Sequence, residues 1–245
     1  MSRFRFYILP RICLGLSVLF LLFGGWVLWL SLDRPLPTVG LACRQAETAA
    51  FLPHGQLIAS GSAALEQGSS RTDRWAVLRS GGNTYALANL DRRAGLLWTA
   101  EVHGSFQLED TGLLGLMAAN DVIWDGDDFR PGDFDVQNID AFTETLPLAI
   151  CTDPSVVRLE GEFLVLGGWE DPEQARRERA VPVTWHDCGN GVWVGDAVVA
   201  ILPEVPGEAG HAGGMSALWC RGYDADGNLV CAYDPTADWP VPSTE

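Results

Sequence analysis

Lysine is absent from this 245-residue chain, so all 16 basic residues are arginines. Without lysine the glycine-rich loop that ends in Gly-Lys-Ser/Thr and holds nucleotide phosphates cannot form, and no dinucleotide-binding glycine motif is present. Histidine is scarce, with four residues, and no pair of cysteines has Cys-x-x-Cys spacing. Because zinc sites need clustered cysteines and histidines, the sequence gives no support to a zinc-dependent function.

A single long apolar run divides the chain. Residues 12–32 carry no charge for 21 positions. A helix of that length spans roughly the 30 Å hydrocarbon core of a bilayer. The run exceeds the apolar region of about 7–15 residues in a cleaved signal peptide, so we expect an uncleaved transmembrane signal anchor.

The charges beside the anchor predict its direction. Three arginines and no acidic residue precede it. Positive charge stays on the cytoplasmic side, so residues 1–11 are expected in the cytoplasm and the C-terminal domain outside it. The predicted location is the plasma (inner) membrane, with the domain in the periplasm if the cell is Gram-negative.

Beyond the anchor the chain is strongly acidic. Residues 33–245 hold 13 arginines and all 32 acidic residues, a net charge of −19. Nucleic-acid binding needs a basic face, so the composition argues against a nucleic-acid partner. The charge also disfavours docking of the whole domain onto anionic lipid. It is compatible with a basic partner or divalent cations, and it favours solubility.

Short alternating segments predict antiparallel strands. Residues 75–79 and 83–90 flank Gly81-Gly82, which is typical of a hairpin. Residues 96–103 predict a third strand whose apolar face includes Trp98. Further strands are predicted at residues 146–151, 155–166, 181–186, 192–202, 218–223 and 228–233. The predicted fold class is mainly β: an antiparallel β sandwich or partly closed barrel with one or two short helices.

The remaining segments give the domain organisation. An extended tether is predicted at residues 33–43, a β-rich domain at 44–234 and a proline-containing tail at 235–245. Short helices are predicted at residues 44–52 and at 171–180, the latter with Asp171 as N-cap. Loops are predicted at residues 61–74, 125–140 and 203–214, and residues 113–124 fit either a strand or a buried helix.

The cysteines suggest one disulfide. Five of the six lie beyond the anchor, where oxidation is allowed. If residues 224–227 form the loop of the last hairpin, Cys220 lies directly opposite Cys231. Cross-strand Cβ atoms are about 4.5–5.5 Å apart, close to the separation that a disulfide spans. The pairing of Cys43, Cys151 and Cys188 is left open, and Cys188 with Cys151 is one possibility.

Two acidic segments resemble calcium ligand sets. One contains Asp121, Asp125, Asp127, Asp128, Asp133, Asp135 and Asp140. Oxygen-rich loops bind Ca²⁺ outside cells, although EF-hand spacing is missing here. The other contains Asp224, Asp226 and Asn228, for which Gly227 favours a plain hairpin turn. No cofactor is predicted, and a Ca²⁺-stabilised extracytoplasmic module is an alternative function.

The candidate nucleophiles are weak. His186 and Cys188 share one face of a predicted strand, so an envelope hydrolase that uses Cys188 or an acidic pair is a second alternative. Ser216 lacks the following glycine of a nucleophile elbow, because Leu218 occupies that position.

With no evident catalytic set, the sequence favours a non-catalytic binding or accessory protein of the cell envelope, anchored by a single membrane pass. Its expected partners are the bilayer, through residues 12–32, and another envelope protein. Most of the eight tryptophans beyond the anchor are expected in the core. Trp239, in the tail, is the one expected to be exposed to a partner.

We expect non-reducing peptide mapping of the intact protein to recover Cys220 and Cys231 in one linked peptide pair, because the predicted hairpin places them opposite each other. Recovery of both as free thiols would contradict this disulfide.

Overall fold

The computed structural model describes residues 2–64, 72–93, 95–108, 112–125, 140–168, 170–203 and 214–237. Within those ranges the chain forms three helices and thirteen strands, and every strand pair is antiparallel. The helices are α1 (Ser2–Ser31), α2 (Val39–Ala49) and α3 (Pro172–Arg179). The strands are β1 (Gln56–Ala64), β2 (Thr72–Ser80), β3 (Thr84–Arg93), β4 (Leu97–Gln107), β5 (Leu113–Asp125), β6 (Asp140–Cys151), β7 (Arg158–Leu166), β8 (Val181–Val183), β9 (Trp185–Asp187), β10 (Val192–Gly195), β11 (Val198–Ile201), β12 (Met215–Tyr223) and β13 (Leu229–Tyr233). The prediction of a mainly β, antiparallel chain with an apolar N-terminal helix is confirmed.

Helix α1 contains a segment, Arg11–Ser31, that is long and apolar enough to cross a membrane, and none of it is buried in the rest of the protein. The helix ends in a sharp turn. Asp33 and Arg34 adopt positive φ angles of 62° and 54°. Their backbone N–H groups donate to carbonyls of the last helical turn, those of Leu30 and Trp29. Capping of this kind satisfies carbonyls that have no partner within the helix.

The predicted tether at residues 33–43 is shorter than expected, because α2 begins at Val39. The Thr38 hydroxyl accepts a hydrogen bond from the backbone N–H of Leu41 and caps the helix. The connecting residues are docked: Leu36 and Trp98 exchange two backbone hydrogen bonds of 2.7 Å. The link between α1 and the domain therefore runs along β4.

The N-terminal sheet has the strand order β1-β2-β3-β4. The predicted hairpin is confirmed as β2 and β3, with the positive φ of their turn at Gly82. Trp98, Ala100 and Val102 form the predicted apolar face of β4, packed against a core shared with α2. The predicted loop at residues 61–74 is wrong at both ends, where β1 and β2 pair along eight registered positions.

The central sheet is built around β6. Strand β5 pairs along one edge of β6, while β10 and β11 share the other edge and β9 pairs with β10. Residues 113–124, which fitted either a strand or a helix, are the strand β5. The acidic loop predicted between β5 and β6 lies outside the described residues, except at its ends.

The C-terminal sheet has the order β13-β12-β7-β8, and α3 packs on it. The predicted helix at residues 171–180 is confirmed as α3. Asp171 is its N-cap, accepting a hydrogen bond from the backbone N–H of Glu173 at 3.0 Å. The predicted tail lies outside the described residues from position 238 onward, and Trp239 with it.

The three sheets share their cores through the central one. One core contains side chains of the N-terminal and central sheets, and another contains side chains of the central and C-terminal sheets. Trp75, Trp193 and Trp219 are buried, as expected of core tryptophans. The described strands close no barrel. The architecture is a set of three antiparallel sheets, where the sequence predicted one sandwich or barrel.

Truncating Leu148 tests the role of β6. Its side chain is fully buried between the N-terminal and central sheets. Leu148→Ala should cost about 2–5 kcal/mol, because a buried cavity replaces packed side chain. In a chain of this size that lowers the melting temperature by roughly 5–15 °C. Thermal unfolding of the detergent-solubilised full-length protein, followed by tryptophan fluorescence, measures the change.

The matched control is Leu229→Ala, since Leu229 is 57% exposed. It should leave the melting temperature nearly unchanged. Equal melting temperatures for the two variants would contradict a central role for β6.

Candidate functional site

A cavity of about 460 Å³ lies between α2, β3, β4 and the two residues that leave α1. We call it the membrane-proximal cavity, because Asp33 and Arg34 follow directly on the apolar helix. Its polar lining residues are Asp33, Arg34, Gln45, Arg74, Asn89, Asp91, Arg93, Thr99 and Glu101. Three arginines and three acidic residues are therefore among its lining residues.

Arg93 ties the cavity to the end of α1. Its Nη2 lies 3.4 Å from Asp33 Oδ2 and 3.2 Å from Asp91 Oδ2. Its Nε atom is buried and has no hydrogen-bond partner among the described residues. The guanidinium thus joins a β3 carboxylate to Asp33, in the turn that ends α1, and its Nε donor is unused among the described residues.

Trp98 contacts two arginines, Arg74, which lines the cavity, and Arg92, which does not. The guanidinium carbon of Arg74 is 5.3 Å from the centre of its ring, and that of Arg92 is 5.6 Å away. Both distances are typical of cation–π contacts. Within the described residues, neither Arg34 nor Arg74 forms an ion pair with a carboxylate. Their positive charge is therefore available to a ligand.

The cavity suits a ligand that carries both signs of charge. A guanidinium group binds phosphate or carboxylate through two parallel N–H donors. Arg34 and Arg74 carry such groups, and Glu101, which also lines the cavity, carries a carboxylate.

A second cavity, of about 500 Å³, lies on the other side of α2 and is lined by Cys43 and His54. Burial, and then the charge of Glu47, raise the pKa of the Cys43 thiol to about 11. His54 Nε2 is 2.8 Å from Thr48 Oγ1 and so is engaged with a hydroxyl. Glu47 Oε1 accepts a hydrogen bond from the backbone N–H of Gly55 at 2.8 Å. Cys43 is therefore a protonated core thiol.

Cys188 does not form a nucleophile–base pair with His186. Its Sγ approaches the His186 backbone carbonyl at 3.9 Å, whereas the imidazole Nε2 lies 2.9 Å from Asp196 Oδ1. Partial burial, and then the charge of Asp187, raise the pKa of the Cys188 thiol. A thiolate nucleophile needs the opposite shift. The geometry at Cys188 thus gives no support to the hydrolase alternative.

The hairpin segment with Asp224, Asp226 and Asn228, which resembles a set of calcium ligands, is a turn held by its own hydrogen bonds. Asp224 accepts hydrogen bonds from the backbone N–H groups of Asp226 and Asn228 and from the Asn228 side chain. The bonds from Asn228 hold the pKa of Asp224 below its usual value. The described part of the chain contains no group of three or more side chains suited to a metal ion. The acidic loop lies largely outside it, so a Ca²⁺ site there stays a prediction.

The predicted register of the last hairpin is wrong. Cys220 pairs with Tyr233, and Cys231 pairs with Gly222. The reason is the turn: residues 224–228 form the loop, and a register shift follows between Gly222 and Tyr223. Cys220 and Cys231 are therefore diagonal neighbours and not opposite ones. This register removes the geometric ground on which their disulfide was predicted.

Comparison with protein families, with curated proteins and with solved structures finds no match to this chain.

Thiol alkylation of the folded protein tests the cysteine environments. Cys188 is exposed, whereas Cys43 is buried with a pKa near 11. At pH 8 we expect Cys188 to react at least roughly tenfold faster, because only an accessible thiolate is alkylated. Quantitative mass spectrometry after timed labelling gives both rates.

In denaturant the two thiols should react at similar rates, which controls for intrinsic reactivity. Fast labelling of Cys43 in the folded protein would contradict its burial beneath α2.

Proposed function

We propose that the protein is a non-catalytic binding protein of the cell envelope, anchored by one membrane pass with its β domain outside the cytoplasm. Its ligand site is the membrane-proximal cavity, and the ligand is a phospholipid headgroup that carries a phosphate and an ammonium group. The observation that carries the proposal is the placement of a cavity with both signs of charge directly beside the end of the apolar helix.

The position of the cavity supports a lipid ligand. Asp33 and Arg34 line it and follow directly on the end of the candidate membrane span. Headgroups occupy the polar region that begins where the hydrocarbon core ends. The site therefore lies at the depth of the headgroups when α1 spans a bilayer.

The charges of the cavity support the zwitterionic class. Arg34 and Arg74 are suited to the phosphate oxygens, and Glu101 is suited to the ammonium group. Arg93 is engaged with Asp33 and Asp91, so these three groups shape the site. A purely anionic headgroup would leave Glu101 without a cationic partner. The acidic domain as a whole repels an anionic surface, which also favours a headgroup with no net charge.

The hydrogen bonds between the end of α1 and the domain support a binding site whose position relative to the helix is fixed. Trp29 Nε1 donates to the Pro35 carbonyl at 3.1 Å, and Leu36 is bonded to Trp98 on β4. These bonds hold the cavity close to the membrane end of the domain. The strongly acidic remainder of the domain is compatible with a basic envelope protein as a further partner.

Native mass spectrometry of the full-length protein in detergent tests the headgroup site. The protein is offered a lipid with a phosphoethanolamine headgroup and, separately, a lipid with a phosphoglycerol headgroup. Soluble phosphoethanolamine and inorganic phosphate are added as competitors, which separates a lipid from a free phosphate as the source. We expect retention of the phosphoethanolamine lipid, with displacement by phosphoethanolamine and little by inorganic phosphate.

The double variant Arg34→Gln/Arg74→Gln should bind the lipid at least roughly tenfold more weakly, because it loses two charge-assisted contacts. Glu101→Gln should reduce the preference for the amine-bearing headgroup. The matched control is Arg177→Gln, on exposed helix α3 at the far side of the C-terminal sheet. Equal lipid retention by the double variant and the control would overturn the site.

A further inference from the structure

Two buried cysteines meet where the central and C-terminal sheets pack together. Cys151 is the last residue of β6, and Cys231 lies on β13. Their Sγ atoms are 3.8 Å apart within the core that the two sheets share. We propose that Cys151 and Cys231 form the disulfide of the oxidised protein and thereby link the central sheet to the C-terminal sheet.

The hairpin β12–β13 places the Cys231 sulfur. Its partner across the strand pair is Gly222, and a Cβ added at Gly222 would lie 2.7 Å from Cys231 Sγ. The sulfur therefore uses space that any side chain at position 222 would fill. The same added Cβ would lie 3.0 Å from Val156, so the glycine leaves room beside a packed core. The absent side chain lets Cys231 turn toward the central sheet.

Cys220 is the less suitable partner for Cys231. It pairs with Tyr233, two positions along β13 from Cys231. Residues that are diagonal neighbours across an antiparallel strand pair are about 7–8 Å apart, and their Cβ atoms are somewhat closer. A disulfide needs Cβ atoms about 3.5–4.5 Å apart. Linking Cys220 to Cys231 would therefore require the hairpin to shift its register.

Cys188 is the less suitable partner for Cys151. Its residue is exposed and its Sγ is directed to the backbone carbonyl of His186. Cys151 is only 3% exposed and its sulfur points into the core. The two thiols thus belong to different environments, although their backbone segments are neighbours through the bond from Cys151 N–H to the Gly191 carbonyl.

Disulfide formation here needs an external oxidant of the disulfide class, either an oxidoreductase or a small-molecule disulfide. The bond forms between Cys151 Sγ and Cys231 Sγ, and both S–H bonds are lost. The pair gives up two electrons and two protons, and the disulfide of the oxidant is cleaved to two thiols. Burial, and then the neighbouring Cys151, raise the pKa of Cys231 to about 12. Spontaneous oxidation in the folded protein should accordingly be slow.

The bond would close a long loop, because 80 residue positions separate the two cysteines. Long loops lose much chain entropy in the unfolded state when they are cross-linked. Oxidation should therefore raise the thermal stability of the chain, because it adds a covalent link between two sheets that pack through side chains.

Peptide mapping of the purified full-length protein tests the pairing. The protein is reduced in denaturant, refolded in the presence of glutathione disulfide so that the oxidant reaches the thiols before they are buried, unfolded again with an alkylating agent to block free thiols and digested without reductant. We expect one linked peptide pair that contains Cys151 and Cys231, with Cys220 alkylated after unfolding. A Cys220–Cys231 or Cys151–Cys188 link as the main product, or no intramolecular link, would overturn the proposal.

Melting temperature gives an independent readout on the same samples. The oxidised wild-type protein should melt roughly 5–15 °C above the reduced protein. Cys151→Ala should abolish this difference, and Cys220→Ala should preserve it. A redox-dependent melting temperature in Cys151→Ala would also overturn the proposal. The wild-type peptide map decides the pairing even if a variant fails to fold.

Discussion

Strand β6 has water on neither face over most of its length. From Thr143 to Cys151 every residue is buried. Its alternate side chains enter different cores: Leu146, Leu148 and Ile150 face the N-terminal sheet, while Ala149 and Cys151 face the C-terminal sheet. A strand of this kind is stable only if both outer sheets are in place, because the loss of either sheet would expose the apolar side chains on that face of β6 to water. The two outer sheets therefore depend on one another through it.

The two edges of β6 also depend on neighbouring strands. Strand β5 pairs with one edge, and β10 and β11 divide the other between them. Backbone groups buried this deeply need partners, and the flanking strands supply them. The buried polar residues of β6, Thr143, Glu144 and Thr145, lie in the half that pairs with β11. Strand β6 thus holds the central sheet together through hydrogen bonds at its two edges, and it joins that sheet to the other two through side-chain packing on its two faces.

Local patterns predicted the elements that local chemistry specifies. The Gly81-Gly82 turn between alternating strands and the Asp171-Pro172 start of α3 were both readable. Strand β1 was missed because its glycine, serines and alanines resemble a loop, and its pairing with β2 makes it a strand. The number of sheets could not be predicted from the sequence, because alternation shows that a face is buried but not which sheet covers it. The hairpin register failed because a five-residue loop and a bulge cannot be distinguished from a four-residue loop by composition.

The candidate site could not be predicted from the sequence. Asp33 and Arg93 are 60 positions apart, and their ion pair forms beside the backbone pairing of Leu36 with Trp98. The run Asp91-Arg92-Arg93 with a tryptophan nearby indicates a binding site only when the cation–π contacts and the cavity are already known. The cysteine contact across sheets is similar, because nothing local relates Cys151 to Cys231.

The docked exit from α1 has a mechanical consequence. A flexible linker would let the domain tumble above the bilayer, independently of the helix. Here Trp29 is bonded to Pro35, Arg93 to Asp33, and Leu36 to Trp98. Rotation of α1 about its long axis would then swing the whole domain by the same angle. If α1 spans a bilayer, a helix that packs against it there would therefore also set the direction in which the three sheets face about the axis of α1.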